Sequence, residues 1–186
     1  MLRASLAAAA LLMAVAAAPA QAATELSSVF ESVTRTARAL HVEPAQPVDW
    51  FPVRGIVEFG EADARFGAWR GGRRHEGQDV FAKAGTPVVS VRAGIVVETG
   101  NDGGRGNYVA IWSPQPRLTF VYLHMLAPTR LRKGDPVDAG QRIGAVGCTG
   151  SCWGDHLHLE MRQGRGVTAK PLDPLPMLRV LAGRAR

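Results

Sequence analysis

Tyr108-Val-Ala-Ile-Trp112 and Leu118-Thr-Phe-Val-Tyr-Leu-His124, parted by Ser113-Pro-Gln-Pro-Arg117, decide how this chain folds. Both runs are dense in β-branched and aromatic residues, which suit a pleated, half-buried surface. Residues that favour turns bound each of them. The same texture extends outward through Val53–Phe59, Pro87–Val91, Gly94–Glu98, Gln141–Val146 and His156–Arg162. Short β-rich runs with glycine punctuation predict an all-β sandwich or barrel. Lys133-Gly-Asp-Pro-Val-Asp-Ala-Gly-Gln141 reads as successive tight turns between two of the runs. No long repeat interrupts the pattern, and one β domain accounts for it.

The N-terminal portion has a different character. Met1-Leu-Arg-Ala-Ser5 precedes an apolar run from Leu6 to Ala18 and then Pro19-Ala-Gln-Ala22. A basic start, a short apolar stretch and an A-x-A pattern predict a signal peptide over residues 1–22, cleaved after Ala22. The alternative, a membrane anchor, needs about 20 apolar residues, and this run is well short of that. No cysteine near the cleavage region suggests a lipid anchor. Between 24 and 41, Leu26, Val29, Phe30, Val33, Ala37 and Leu40 recur at spacings of three and four, predicting a short helix. Glu43-Pro-Ala-Gln-Pro47 ends it as a linker, and His41 is read as a surface residue. The expected division is therefore signal 1–22, helix and linker 23–49, β domain 50–178 and C-terminal tail 179–186.

Lys and Arg number 22 against 16 Asp and Glu, a net charge of +6. A basic exported protein meets acidic polymers: nucleic acid, an anionic membrane or a carboxylate-rich cell wall. The arginines are scattered and form no single stripe, so a biased composition explains them as well, and no nucleic-acid partner is expected. Cys148 and Cys152 are the two cysteines, four apart in Gly147-Cys-Thr-Gly-Ser-Cys-Trp-Gly154. In an oxidising compartment they are expected to pair. So small a ring constrains a loop more than it stabilises the whole fold; free thiols are the alternative.

Four of the five histidines fall in three clusters: His75-Glu-Gly-Gln-Asp79, Tyr122-Leu-His124 and His156-Leu-His158. Alternate residues of a strand share a face, so His156 and His158 project together while Leu157 turns to the core. Glu160 continues their face, where it either orients a ring by accepting its second N–H or is a solvated surface carboxylate. Arg70-Gly-Gly-Arg-Arg74 before His75 and Gly85-Thr-Pro87 after Phe81 are poor helix context. His75 to Asp79 therefore reads as a glycine-rich loop entering a strand, with no glutamate placed as general base. His75, Asp79 and one histidine of the later pair supply three ligands and leave a coordination position open, as in catalytic zinc sites. Such a metal polarises a carbonyl and lowers the pKa of its water. Proton transfer then falls to His124 and the other member of the pair. Two histidines and a carboxylate also suit Fe(II) oxygenases, but nothing here resembles a clamp for a co-substrate carboxylate.

From Phe51 to Leu178 the chain resembles the M23 family of zinc endopeptidases, the lysostaphin- and LytM-type cell-wall peptidases. The residues that carry the resemblance are Phe59-Gly60, His75-x-Gly77-x-Asp79, Gly85-Thr-Pro-Val88, Gly94-x-Val96, Gly106-Asn-Tyr-Val109-x-Ile111 and Tyr122-x-His124. They continue through Gly134-Asp-x-Val137-x-x-Gly140-Gln-x-Ile143-Gly144, Gly147-x-Thr-Gly150, His156-Leu-His158-x-Glu160 and Asp173-Pro-Leu175. The resemblance implies one Zn²⁺ held by His75, Asp79 and His158, with His124 and His156 as catalytic histidines. It implies a mainly β, two-sheet antiparallel fold with the site in a groove, acting on peptide crosslinks of peptidoglycan. The chain departs from the family's pattern at Met125, Asp155 and Leu159, at Trp112-Ser113, and in the Cys148/Cys152 pair. None of these departures removes a ligand. The Gly134–Gln141 turn also resembles lipoyl and biotinyl carrier domains, but no lysine sits at such a tip.

The expectation is an exported zinc metalloendopeptidase, periplasmic by composition and family, with no stable membrane insertion once the signal is removed. The alternative on the same fold is a non-catalytic protein that binds the wall or activates an amidase. Nothing in the sequence sets an oligomeric state.

Overall fold

The computed structural model describes residues 49–184. The expected signal segment, the helix at 24–41 and the linker after it lie outside the described residues. Among the described residues, a 3-10 turn, Ala62–Ala64, precedes nine strands: β1 Gln78–Phe81, β2 Pro87–Val89, β3 Gly94–Asp102, β4 Gly106–Ser113, β5 Leu118–Met125, β6 Pro136–Val137, β7 Arg142–Ala145, β8 His156–Gln163 and β9 Lys170–Leu172. Helix α1, Leu175–Arg184, follows them.

Seven strands form one antiparallel sheet in the order β1-β8-β5-β4-β3-β6, with β9 paired to β8 beyond the end of β1. Strands β2 and β7 form a second, two-stranded sheet. The fold is mainly β, as the sequence pattern predicts, with two antiparallel sheets, as the family resemblance implies.

Strand alternation sets two layers of contact. Val109 and Ile111 of β4, Phe120 and Tyr122 of β5, and Leu157 and Leu159 of β8 point into the core with Val80, Val88, Val91 and Val96. On the opposite face Tyr108 and Ala110 meet Val121 and Leu123 as a smaller apolar cluster. Strand β8 is buried on both faces, from His156 to Glu160. Its polar residues therefore have to find partners inside the protein.

Four segments differ from the sequence expectation, and two of them are short strands it did not contain: β6, inside the turns expected at 133–141, and β9. Val53–Phe59 is not a strand but makes isolated bridges at its two ends, Val53 to Val88 and Glu58 to Phe81. Those partners belong to different sheets, so the chain crosses between two edges and cannot build a ladder on either. Residues 179–184, read from sequence as tail, continue helix α1. Leu178 and Leu181 on that helix are buried in the main core. Local composition hid the helix because Pro174 and Pro176 read as a turn and Gly183 is a poor helix former. Pro176 sits in the first turn, where proline is tolerated, and packing of the leucines offsets Gly183. Leu178, at 0% exposure, makes a direct test. Leu178→Ala is expected to lower unfolding stability by about 3 kcal/mol, read as a drop in the urea midpoint with an unchanged slope.

Candidate metal centre and flanking histidines

The β1–β8 register brings the clusters together: Asp79 lies opposite His158 and Phe81 opposite His156. His75 reaches them from a tight hairpin in which Trp69 bridges Arg74 and Gly71 and Gly72 take left-handed conformations. The His75 backbone N–H donates to Ala68 O at 2.8 Å, and its carbonyl accepts from Gly67 N, also at 2.8 Å. Gly77, between the two residues, is required by close approach. A Cβ there would lie 2.6 Å from His158 Nε2 and 2.5 Å from Leu159 O.

Three ligand atoms converge. Asp79 Oδ1 lies 3.0 Å from His75 Nε2 and 2.8 Å from His158 Nδ1, and the two ring nitrogens are 2.9 Å apart. The outer ring atoms decide what faces inward. His75 Nδ1 donates to the Arg65 carbonyl at 2.8 Å. His158 Nε2 faces Glu160 Oε1 at 3.4 Å, so the carboxylate favours a proton on that nitrogen. In the neutral rings this leaves lone pairs on His75 Nε2 and His158 Nδ1, both aimed at a carboxylate oxygen. Three lone-pair atoms at such spacing repel one another unless a positive charge sits among them. Donor chemistry and geometry therefore fit a small cation, held by His75, Asp79 and His158.

Charges around the cluster hold it in place. Arg70 Nη2 donates to the outer oxygen of Asp79, Oδ2, at 2.6 Å and to Asp63 O at 2.8 Å. Burial works to raise the Asp79 carboxyl, but when the facing ring nitrogens carry protons in place of a cation, their hydrogen bonds from His158 and His75 outweigh burial and hold it far below the usual carboxylate range. Burial likewise lowers His158, and the Asp79 and Glu160 carboxylates beside it reverse that and raise it. A proton and a metal ion thus compete for the same place. Glu160 is itself buried, and its other oxygen accepts from Arg162 Nε at 2.7 Å. Arg162 Nη2 continues to Glu76 Oε2 at 2.6 Å. Of the two sequence readings of Glu160, the structure favours the one that orients a ring.

His124 and His156 stand beside this cluster. Their ring centroids are 5.0 Å apart, and His124 is 5.8 Å from the ring of His158. His124, next to last in β5, has φ 61°, a left-handed conformation rare outside glycine and often found at functional sites. His124 Nδ1 donates to Thr149 O and His156 Nδ1 donates to Gly154 O, each at 2.8 Å. Both rings therefore leave Nε2 without a proton, and His156 Nε2 is 3.6 Å from Asp79 Oδ1. Burial pushes His124 down to about 4 and lowers His156, so both rings stay neutral near pH 7.

All five histidine and aspartate residues singled out from sequence line one groove of about 630 Å³. Sequence reasoning missed Arg70, Arg162 and Glu76, and also the carbonyls of Arg65, Thr149 and Gly154. Arg162 was within reach, since strand alternation puts it on the face of His158 and Glu160.

Residues 73–174 match the model of peptidase family M23. The chain belongs to that family. Among M23 relatives, the peptidoglycan DD-endopeptidase ShyA of Vibrio cholerae is 44% identical over 104 residues, 55% of this chain and 24% of the relative. Lysostaphin of Staphylococcus simulans is 34% identical over 109 residues, 58% of this chain and 22% of that protein. The chain thus spans about a quarter of the length of these relatives. The crystallised catalytic domain of Staphylococcus simulans lysostaphin superposes with a TM-score of 0.56 at 32% identity, covering 62% of this chain and 89% of that domain. A zinc-containing peptidase from Vibrio cholerae gives 0.56 at 29% identity, over 69% of this chain and 39% of that one.

Proposed function

We propose that this protein is an exported zinc endopeptidase that hydrolyses peptide crosslinks of peptidoglycan. The observation that carries the reading is the convergence of three lone-pair ligand atoms next to two neutral imidazoles in one groove. His75, Asp79 and His158 would hold Zn²⁺, the ion named for the Vibrio cholerae neighbour. Bound there, the cation supplies Lewis-acid chemistry, polarising a scissile carbonyl and bringing the pKa of water to about 7.

The flanking rings carry the protons. A neutral imidazole whose Nδ1–H is tied to a carbonyl can accept at Nε2 but cannot donate there until it has been protonated. Whichever of His124 and His156 takes the proton from the attacking water thereby becomes the donor for the departing amine. The second ring, also without a proton at Nε2, can accept a hydrogen bond from the attacking water, and carbonyl anchors on both rings keep each from turning. Arg73 also lines the groove and suits the carboxylates of stem peptides, whereas Arg70 and Arg105 there are already paired with Asp79 and with Asp102 and Glu98. Export follows from residues 1–22, and a periplasmic setting would make the crosslink a D-alanyl–diaminopimelate bond.

Incubation of the zinc-loaded protein with purified sacculi tests the reading. Release of muropeptides with newly freed peptide ends, identified by mass spectrometry and abolished by chelation, is the expected outcome. Release that survives chelation rejects it. A wall-binding or amidase-activating role needs none of the five residues, so their joint presence tells against that alternative.

Glu160 gives a narrower check. Glu160→Gln keeps the shape but removes the charge that orients His158, and zinc affinity is expected to fall about 10- to 100-fold. Competition with a chromophoric chelator reads the change, and an unaltered affinity would make Glu160 a purely structural residue.

A further inference from the structure

The disulfide between Cys148 and Cys152 closes the loop on which both flanking histidines lean. Thr149 and Gly154, whose carbonyls accept from His124 and His156, lie within or just beyond that five-residue ring. The two anchors are not equally secured. Thr149 Oγ1 donates to Met125 O and accepts from Asn107 N, each at 2.9 Å, and Ser151 N donates to Gly104 O at 3.0 Å. Gly106 and Gly150 also approach so closely that a Cβ on either would clash with the other segment's backbone.

Beyond Ser151 such fastening stops. Among the described residues no backbone N–H or carbonyl of Cys152, Trp153 or Gly154 bonds to backbone elsewhere. Trp153 is 86% exposed and Gly154 takes φ 96°, so neither packs nor stiffens the segment. Fastening resumes only past Gly154, where Asp155 Oδ2 accepts from Ala84 N at 3.3 Å and His156 N donates to Gly147 O at 3.2 Å. On the near side the tether is the covalent Cys148–Cys152 bond. Cys152 Sγ lies 3.0 Å from Gly154 O and 3.9 Å from His156 Nδ1. With no proton on a bridged sulfur, both are packing contacts against the carbonyl and the ring it orients.

We infer that the Cys148–Cys152 disulfide is a positioning element for His156, holding the Gly154 carbonyl that sets which ring nitrogen carries the proton. His124, whose carbonyl partner has anchors of its own, depends on the disulfide much less. The inference rests on the proposed catalytic role of His156 only in its effect on rate; the effect on the ring is independent of that role. Reduction adds two electrons and two protons to the S–S bond, giving two thiols, and frees residues 152–154 to move. The bridge would then make full activity a property of the protein in an oxidising compartment.

The test compares zinc-loaded protein before and after reduction with a water-soluble phosphine, which is itself oxidised to the phosphine oxide. Histidine-ring ¹⁵N NMR of the oxidised protein should show a single Nδ1–H tautomer for His156. On reduction that signal should give way to a tautomer mixture while the ring signals of His124 persist. In sacculus digestion kcat should fall about tenfold, a fraction of what a general acid–base group contributes. KM and zinc content should hold, and reoxidation should restore the rate. The C148S/C152S double variant should match the reduced protein and ignore the phosphine. Unchanged His156 ring signals after reduction, or an unchanged kcat in protein that is active when oxidised, would overturn the inference. If the oxidised protein releases nothing from sacculi, it is the hydrolase reading that fails, and the ring spectra still decide the role of the disulfide.

Discussion

Asp79→Ala protein is expected to lose bound zinc and, with it, all release of muropeptides from sacculi. Asp79 contributes the only formal negative charge among the three proposed ligands, and its outer oxygen neutralises Arg70 at 2.6 Å. Truncation therefore removes a ligand and also leaves a buried-facing guanidinium beside the place the cation would occupy. A structural zinc site contributes on the order of 12 kcal/mol over four ligands, so one ligand accounts for about 3 kcal/mol, or a hundredfold in affinity. The uncompensated Arg70 should push the loss beyond that figure. Arg70→Ala in the same background should recover part of the zinc affinity, because it removes the repulsion without restoring the ligand. Metal content by mass spectrometry and chelator competition measure both effects. An Asp79→Ala protein that keeps stoichiometric zinc at wild-type affinity would contradict the proposed ligand set.

His124→Ala and His156→Ala should separate binding from chemistry. Neither ring belongs to the converging ligand trio, so zinc content is expected to remain stoichiometric. Proton transfer by a positioned group is worth about 10²- to 10⁴-fold, and each single variant should lose kcat on that scale with KM little changed. Because the ring that accepts a proton must also return it, the two act as a unit, and groups of that kind are strongly non-additive. The double variant should therefore be scarcely slower than the worse single one. Losses that multiply would mean that the rings work in independent steps.

Much of this site was legible before any coordinates. His-x-His on a strand places two imidazoles on one face by alternation alone. The poor helix context around His75 and Asp79 pointed correctly to a loop running into a strand, which became β1. Val53–Phe59 misled because its composition resembles a strand. The decision that it bridges two edges without joining either ladder depends on partners about 23 to 35 positions away, Phe81 and Val88. Helix α1 was missed for the opposite reason, since weak local preference gives way to burial of Leu178 and Leu181 in a core that only the assembled sheets create.

Sequence by itself determined the β class and singled out five candidate residues in three clusters, because strand periodicity and turn chemistry are local. Only the tertiary structure decided which nitrogen of each ring faces the groove. That choice rests on carbonyls and carboxylates supplied by other segments: Arg65 and Glu160 for the ligand rings, Thr149 and Gly154 for their neighbours. The pairing of Asp79 with His158 was likewise settled by strand register across 79 positions. Register follows from matching buried faces over the whole sheet, and no short stretch of sequence contains that information.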